Sequence, residues 1–449
     1  MASSPVARGP RGLPVLGHLP AFRAKPIPFL MKMAREYGDL PHFRLGSFPV
    51  YLLNHPDLVR EVLVTRQSNF IKSRALQRAR VLLGEGLLTS EGDFHKRQRR
   101  LVQPAFHRER MAAYADVMSD YATRVRDRWT DGSTVDVAAE MMRLTLAVVG
   151  KTLFSADVES EASEIGEALT TVLKMFRLLM MPFSEYLEKL PLPSMRRFDR
   201  ARARLDATIY GLIEERRASG EDRGDLLSML LLAQDEEEHG GGMTDRQVRD
   251  EALTLFLAGH ETTANALTWT WCLLSQNPEC ERRLHQELDA VLGGRAAQAA
   301  DLPALRYTEL VLTEALRLYP PAWAIGRMSL EPFELGGIHI AARSIFIASP
   351  YVTHRDPRWF PDPERFDPER WTSEAREARP KFSYFPFGGG ARVCIGERFA
   401  WMEGVLVLAT LAQNWKLRLA PGQKVDTLPL ITLRTKYGMK MVLEKRRRP

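Results

Sequence analysis

The longest coherent pattern of apolar and polar positions lies between Thr244 and Asn277. Thr244-Asp245 makes a helix start, and Val248, Leu253, Phe256, Leu257, Leu267, Trp271 and Leu274 carry a helical period toward Asn277-Pro278. Its apolar middle is interrupted by Ala258-Gly259-His260-Glu261-Thr262-Thr263. Glycine is a poor helix residue and threonine hydroxyls compete for backbone carbonyls, so this interruption costs stability. Periodicity also predicts helices over Met111 to Trp129, Val137 to Phe154, Ile165 to Leu179 with a break at Pro182, Met195 to Arg217, and Tyr307 to Leu318. Pro41 to Asn54 alternates and predicts a hairpin, His42 to Leu45 and Val50 to Leu53 around Gly46-Ser47. His55-Pro56-Asp57 then opens a helix carrying Leu58, Val59, Val62 and Leu63. Phe70 to Ser90 reads as irregular, Asp235 to Gly242 as a surface loop, and Phe333 to Leu335, Ile338 to Ile340 and Ser344 to Ala348 as short strands. The expected class is mainly α with small β-sheets.

Composition narrows the partners more than the fold. A chain of 449 residues with 45% apolar positions can bury a large core, in two or three domains or in one large fold. Its net charge of +7 is spread along the chain rather than gathered in an arm, which disfavours nucleic acid and leaves docking of an acidic protein open. Three cysteines, Cys272, Cys280 and Cys394, build no disulfide framework and fit a reducing compartment. Met1 to Val6 has neither a basic start nor an apolar run, and no stretch approaches a membrane-spanning length.

The candidate chemistry sits in Phe387-Gly388-Gly389-Gly390-Ala391-Arg392-Val393-Cys394-Ile395-Gly396, followed by an apolar, helix-like run from Phe399 to Leu411. A cysteine just before a helix start meets unpaired N–H groups and the positive end of the helix dipole, which favour a thiolate. Glycines permit close approach of the backbone to something large and flat, and Arg392 offers a charge to an anionic group on it. One thiolate with no second Cys or His nearby does not complete a zinc site. Haem iron needs only one protein ligand, and a proximal thiolate favours O–O cleavage. The competing reading is an inert buried cysteine in a glycine-rich turn.

Phe387, Gly390, Arg392, Cys394 and Gly396 stand as F-x-x-G-x-R-x-C-x-G, which resembles the haem-binding loop of the cytochrome P-450 monooxygenases. Ala258 to Thr263 matches that family's oxygen-activating motif, with Glu261 and Thr262 as the acid and alcohol that deliver protons. Glu314-Ala315-Leu316-Arg317 is similar to its E-x-x-R, and Arg365 of Pro363-Glu364-Arg365-Phe366 is expected to join that pair. The resemblance covers essentially the whole chain. It implies one haem domain over residues 1–449, with haem b (iron protoporphyrin IX) between the long central helix and the cysteine loop. Cys394 would ligate iron and Arg99, Arg327 and Arg392 would bond propionates. His95 stands where relatives often have Trp. Leu88, Ala258, Ala322, Ala324, Ile325 and Ile431 fall at substrate-contacting positions.

The activity so implied is insertion of one oxygen atom of O2 into an unactivated C–H bond of a hydrophobic substrate. A terpenoid, a steroid or a fatty acid would suit, and the similarity of His95 to His107 to bacterial terpene oxidisers favours the first. Met175 to Phe183, rich in Met, reads either as helix packing or as a lid over an apolar entrance. NAD(P)H electrons would come through a ferredoxin- or flavodoxin-type donor with its reductase, docking near Lys96, Arg97, Arg100, Arg392 and Arg398. Arg8 to Gly17 resembles the proline-rich hinge after the anchor of membrane-bound relatives. Because it opens the chain, a soluble, cytoplasmic enzyme is expected; with no fused reductase segment expected, the redox partners would be separate, and a monomer is expected. A peroxide-driven peroxygenase or isomerase and a non-catalytic haem-thiolate sensor are the competing functions.

Overall fold

The computed structural model describes residues 8–156, 168, 171–172, 192–233 and 242–447. The helix expected at Ile165 to Leu179, the Met-rich stretch from Met175 to Phe183 and the loop from Asp235 to Gly242 lie outside the described residues, apart from Ala168, Thr171, Val172 and Gly242. The main helices are α1 Pro26–Tyr37, α2 Pro56–Arg60, α3 Gly92–Val102, α4 Arg108–Arg128, α5 Val137–Phe154, α6 Pro193–Ser219, α7 Leu226–Leu232, α8 Asp245–Gln276, α9 Pro278–Leu292, α10 Arg306–Leu318 and α11 Glu397–Ala412. The strands are β1 His42–Leu45, β2 Phe48–Leu53, β3 Phe70–Lys72, β4 Thr134–Asp136, β5 Ile325–Ser329, β6 Phe333–Leu335, β7 Ile338–Ile340, β8 Ile345–Ala348, β9 Trp415–Leu419, β10 Thr427–Pro429, β11 Leu433–Thr435 and β12 Lys440–Lys445. The chain is mainly α-helical with small sheets, as its pattern predicts.

Two compact units can be distinguished, each built from two segments. The first comprises Met1–Gln77 and Leu316–Cys394. Its five-stranded sheet has the order β1-β2-β8-β5-β3. The β1–β2 hairpin forms in the expected place, and β2 then pairs in parallel with β8. Val50 and Leu52 pack with Leu30, Met33 and Phe43, whereas Tyr51 and Leu53 pack with Val59, Phe70, Phe346 and Phe385. The two-residue period of a strand thus feeds two cores, so the alternation expected over Pro41 to Asn54 does not extend through β2, which is apolar on both faces. The stretch expected to be irregular differs: it contains β3 and helical turns at Arg74–Arg78 and Arg80–Leu83. β3 is three residues long and pairs with β5, so its signal is not local.

The second unit comprises Arg78–Ala315 and Ile395–Pro449. At its centre α8 begins on a reciprocal capping box between Thr244 and Gln247. It packs most extensively on α5 and also meets α6, α11 and β9. Asp136 caps α5, accepting from the Ala138 N–H at 3.1 Å, and also accepts from the Met439 N–H at 2.9 Å. Phe399 at the start of α11 meets Phe106 and Tyr114 edge-on. Arg216 and Asp225, both buried, form a two-pronged ion pair at 2.7 and 2.9 Å that ties α6 to the start of α7.

Candidate active site

In the first unit the loop before Cys394 is a chain of tight turns. Gly388 N–H donates to the Phe385 carbonyl, Val393 N–H to that of Gly390, and Cys394 N–H to that of Phe387, at 3.0 to 3.1 Å. Ala391 N–H donates to Gln67 Oε1 at 2.8 Å. Gly390 has φ +70° and a Cβ there would collide with the Leu63 carbonyl. At Gly389 a Cβ would lie 2.6 Å from the Phe382 ring. These two glycines are therefore already required by packing within their own unit. Gly388 keeps ordinary room, with Ile325 Cδ1 at 3.5 Å from the Cβ position, but its φ of +77° also favours glycine.

The turns present the Cys394 thiol at the surface of the loop, half-buried Phe387 and Arg392 flanking it. Cys272, by contrast, is buried, and burial pushes its thiol up to about 11. Among the described residues no group of three or more His, Cys, Asp and Glu side chains could hold a metal ion. In β5, buried Arg327 stands directly opposite buried Lys72 of β3. Two cations on one face of neighbouring strands form a positive locus suited to a carboxylate.

In the second unit α8 is buried on every side from Val248 to Leu274 except at Ala258, Gly259 and Thr262. Ala258 is exposed and Thr262 half-buried, one turn apart, so they open a window in the middle of a buried helix. The Thr262 hydroxyl donates to the Ala258 carbonyl at 2.8 Å, one turn back. At Gly259 the Cβ position lies 3.0 Å from Val149 Cγ2 of α5, so the two helices pack closely there.

Glu261 faces away from solvent. Its Oε1 accepts from Arg434 Nε at 2.6 Å and from the Thr432 hydroxyl. His260 is buried and its ring Nδ1 lies 2.7 Å from the Phe256 carbonyl; burial lowers its imidazole below the usual range. Arg434 and Thr432 were not legible as site residues, because their only sequence signal is nearness to Ile431. Ile431 itself is half-buried at the apex of the β10–β11 loop. The carboxyl of Glu403 in α11 is another missed group: it is fully buried, and burial pushes it up to about 8 against a smaller opposing effect of the Thr263 hydroxyl.

His95, buried, and Arg99, half-buried, share one face of α3. Leu88 is half-buried beyond a turn held to α8, where Glu85 N–H donates to Asp250 Oδ2 and Leu87 N–H to Glu251 Oε2, both at 2.9 Å. Gly396 is the N-cap of α11. Ala322, Ala324 and Ile325 are half-buried at and before the start of β5, Ala324 and Ile325 against the two cores of the first unit.

Glu314 and Arg317 of α10 are both fully buried. Arg317 donates to the carbonyls of His354, Pro363 and Arg365 at 2.8, 2.7 and 3.1 Å. Arg365 departs from expectation: its side chain is exposed, and it meets Arg317 through its carbonyl. The same three letters recur at Pro368-Glu369-Arg370, where Arg370 is half-buried and donates to the Asp362 carbonyl at 2.9 Å. That repeat was the signal available for the better candidate.

A mostly helical fold with small sheets, a long helix opened at one alanine and one threonine, and a cysteine at the end of a glycine loop define the haem-thiolate class. The cytochrome P-450 family model matches residues 7–441, and the chain belongs to that family. It is 46% identical to cyclooctatin synthase of Streptomyces melanosporofaciens over 97% of this chain and 95% of the relative. It is 42% identical to cyclooctat-9-en-7-ol 5-monooxygenase of the same organism, over 92% and 90%. Pentalenene oxygenase of Streptomyces avermitilis is 37% identical over 94% of each chain. Among solved structures, retinoic acid bound cyanobacterial CYP120A1 superposes with a TM-score of 0.89 at 28% identity, covering 99% of this chain and 100% of that one. The protein is accordingly a haem-dependent monooxygenase that uses O2 on a hydrophobic substrate. No described helix is long and apolar enough to cross a membrane.

Proposed function

We propose that this enzyme hydroxylates a terpenoid at an unactivated C–H bond, with Cys394 as the iron ligand and Glu261 and Thr262 handling protons. The observation that carries the reading is the window at Ala258 and Thr262 in an otherwise buried α8. A small alanine leaves room beside it and a hydroxyl is held there at a defined place. The residues fit the cofactor in kind. One surface thiol supplies one ligand, Arg327 beside Lys72 suits a propionate, and Arg99, Arg392 and His95 are further candidates for that contact. When bound, haem supplies oxygen activation: two electrons and two protons let one oxygen atom enter the substrate while the other leaves as water. Leu88, Ala258, Ala322, Ala324, Ile325 and Ile431 are the candidate substrate contacts in this reading. The terpenoid assignment is supported by the relatives named for cyclooctatin, cyclooctat-9-en-7-ol and pentalenene.

Electrons from NAD(P)H would arrive through a ferredoxin or flavodoxin and its reductase, docking at a basic face that includes exposed Lys96 and Arg100 of α3. We take the chain to act as one haem domain and as a monomer. Three cysteines, all free, support a cytoplasmic setting. A peroxide-driven enzyme or a sensor would have no use for the Glu261 and Thr262 pair.

The test is the absorbance change on adding carbon monoxide to dithionite-reduced protein, followed by a spin-state titration with terpenes and fatty acids. A strongly red-shifted Soret band, lost in Cys394→Ser, and a low- to high-spin shift with a terpene are expected. Thr262→Ala should keep haem but divert electrons to hydrogen peroxide. Normal coupling in that variant would remove the proton role of Thr262.

A further inference from the structure

Three polar residues four apart on α8, Glu261, Asn265 and Trp269, form one stripe, and every one of them is bonded to the C-terminal hairpin. Glu261 accepts from Thr432 and from Arg434, Asn265 Nδ2 donates to Thr432 Oγ1 at 3.2 Å, and Trp269 Nε1 donates to the Leu433 carbonyl at 3.1 Å. The hairpin loop is short. Pro429 pairs with Leu433, leaving Leu430, Ile431 and Thr432 to turn the chain, and Leu430 N–H donates to the Thr432 carbonyl at 3.0 Å. A side chain pressing on Ile431 therefore moves Thr432, its neighbour in a loop with no slack.

We propose that this hairpin is a substrate-sensing latch, in which Ile431 reads occupancy of the pocket and Thr432 and Arg434 set whether Glu261 is held or released. The inference rests on the function proposed above and assigns two positioning residues beyond it. The Glu261 carboxylate oxygen that meets Arg434 at 2.6 Å is committed to the hairpin, while Thr262, the next residue, opens at the window. With Glu261 2% and Arg434 14% exposed, the pair is nearly dry, so loosening it changes the carboxylate strongly. Substrate that displaces Ile431 would loosen Thr432 first. Glu261 then turns toward Thr262, and protons reach the window only when there is substrate to oxidise.

The experiment uses holoenzyme and the member of the terpene and fatty-acid panel that gives the largest spin-state shift. Isotope-edited infrared difference spectra, with and without that compound and with no electron donor, follow the Glu261 carboxylate, assigned by its loss in Glu261→Gln. In the parent, the compound should perturb that band. In Ile431→Ala, which also removes a substrate contact, the compound is raised until the spin-state shift is regained, and at that point the band should no longer respond. In Arg434→Gln and Thr432→Val the band should already sit at its substrate-bound position. With a surrogate ferredoxin and reductase, these two variants should lose product yield per electron by roughly tenfold at little change in KM, with Arg434→Lys partly restoring it. A band indifferent to the compound in the parent, or full coupling in Arg434→Gln, overturns the latch. Failure of the underlying function looks different: no red-shifted carbon monoxide band in the parent, or no panel member that shifts the spin state.

Discussion

Glu403 should make the enzyme less stable as pH rises through neutrality, and Glu403→Gln should remove that dependence. The carboxyl is fully buried in α11 and neither oxygen has a well-formed hydrogen bond. Burial therefore raises it from the usual 4.5 to about 8. A group whose folded value is raised binds its proton more tightly in the folded state, so it costs nothing below about pH 4.5 and an increasing amount above it. Linkage gives a penalty of about 1 kcal/mol at pH 5 and roughly 3 kcal/mol at pH 7, levelling off above pH 8. The glutamine variant carries no titratable group. Whatever fixed cost its buried amide brings, its stability relative to the parent should improve by about 2.5 kcal/mol between pH 5 and pH 7. Urea unfolding of both proteins at the two pH values measures this directly, and thermal midpoints provide a rate-limited check. A difference that does not change with pH would mean that Glu403 is ionised and solvated at neutrality, and the argument from burial would be wrong.

His285 in α9 titrates with the opposite sign. Burial and the nearby Arg446, Lys416 and Arg418 push its imidazole down to about 3, so the unfolded chain takes up a proton that the fold refuses. Stability should fall by about 1.4 kcal/mol per pH unit below about pH 6.5, and His285→Gln should flatten that slope between pH 6.5 and 4.5. Gly390→Ala should lower stability by about 3 kcal/mol or more, since φ of +70° and the Leu63 carbonyl both oppose a side chain. An unchanged urea midpoint in this variant would show that the loop has room to shift.

The local rules were sufficient for most elements. Thr244 and Asn277-Pro278 carry capping and stop signals that act within a few residues, and α8 begins and ends where they stand. The same holds for Val137–Phe154, whose periodicity matches α5 throughout, and for the β1–β2 hairpin. The family was equally legible, because Cys394 and its glycines are contiguous in the chain. Partners were not. That Glu261 meets Arg434, that Gly390 is needed because of Leu63, that Gly259 yields to Val149, and that Arg365 offers a carbonyl rather than a guanidinium all depend on residues distant in the chain. The direction in which each polar residue of α8 points is likewise set by what packs around it. Helix starts, turns and spacings are encoded by interactions within a turn or two, so sequence alone determined most of the elements and the order of the motifs, but not β3, whose pairing with β5 is remote. Which side chains become a dry ion pair, a window or a lone buried carboxyl is a property of close packing between remote segments, and only the tertiary structure decided it.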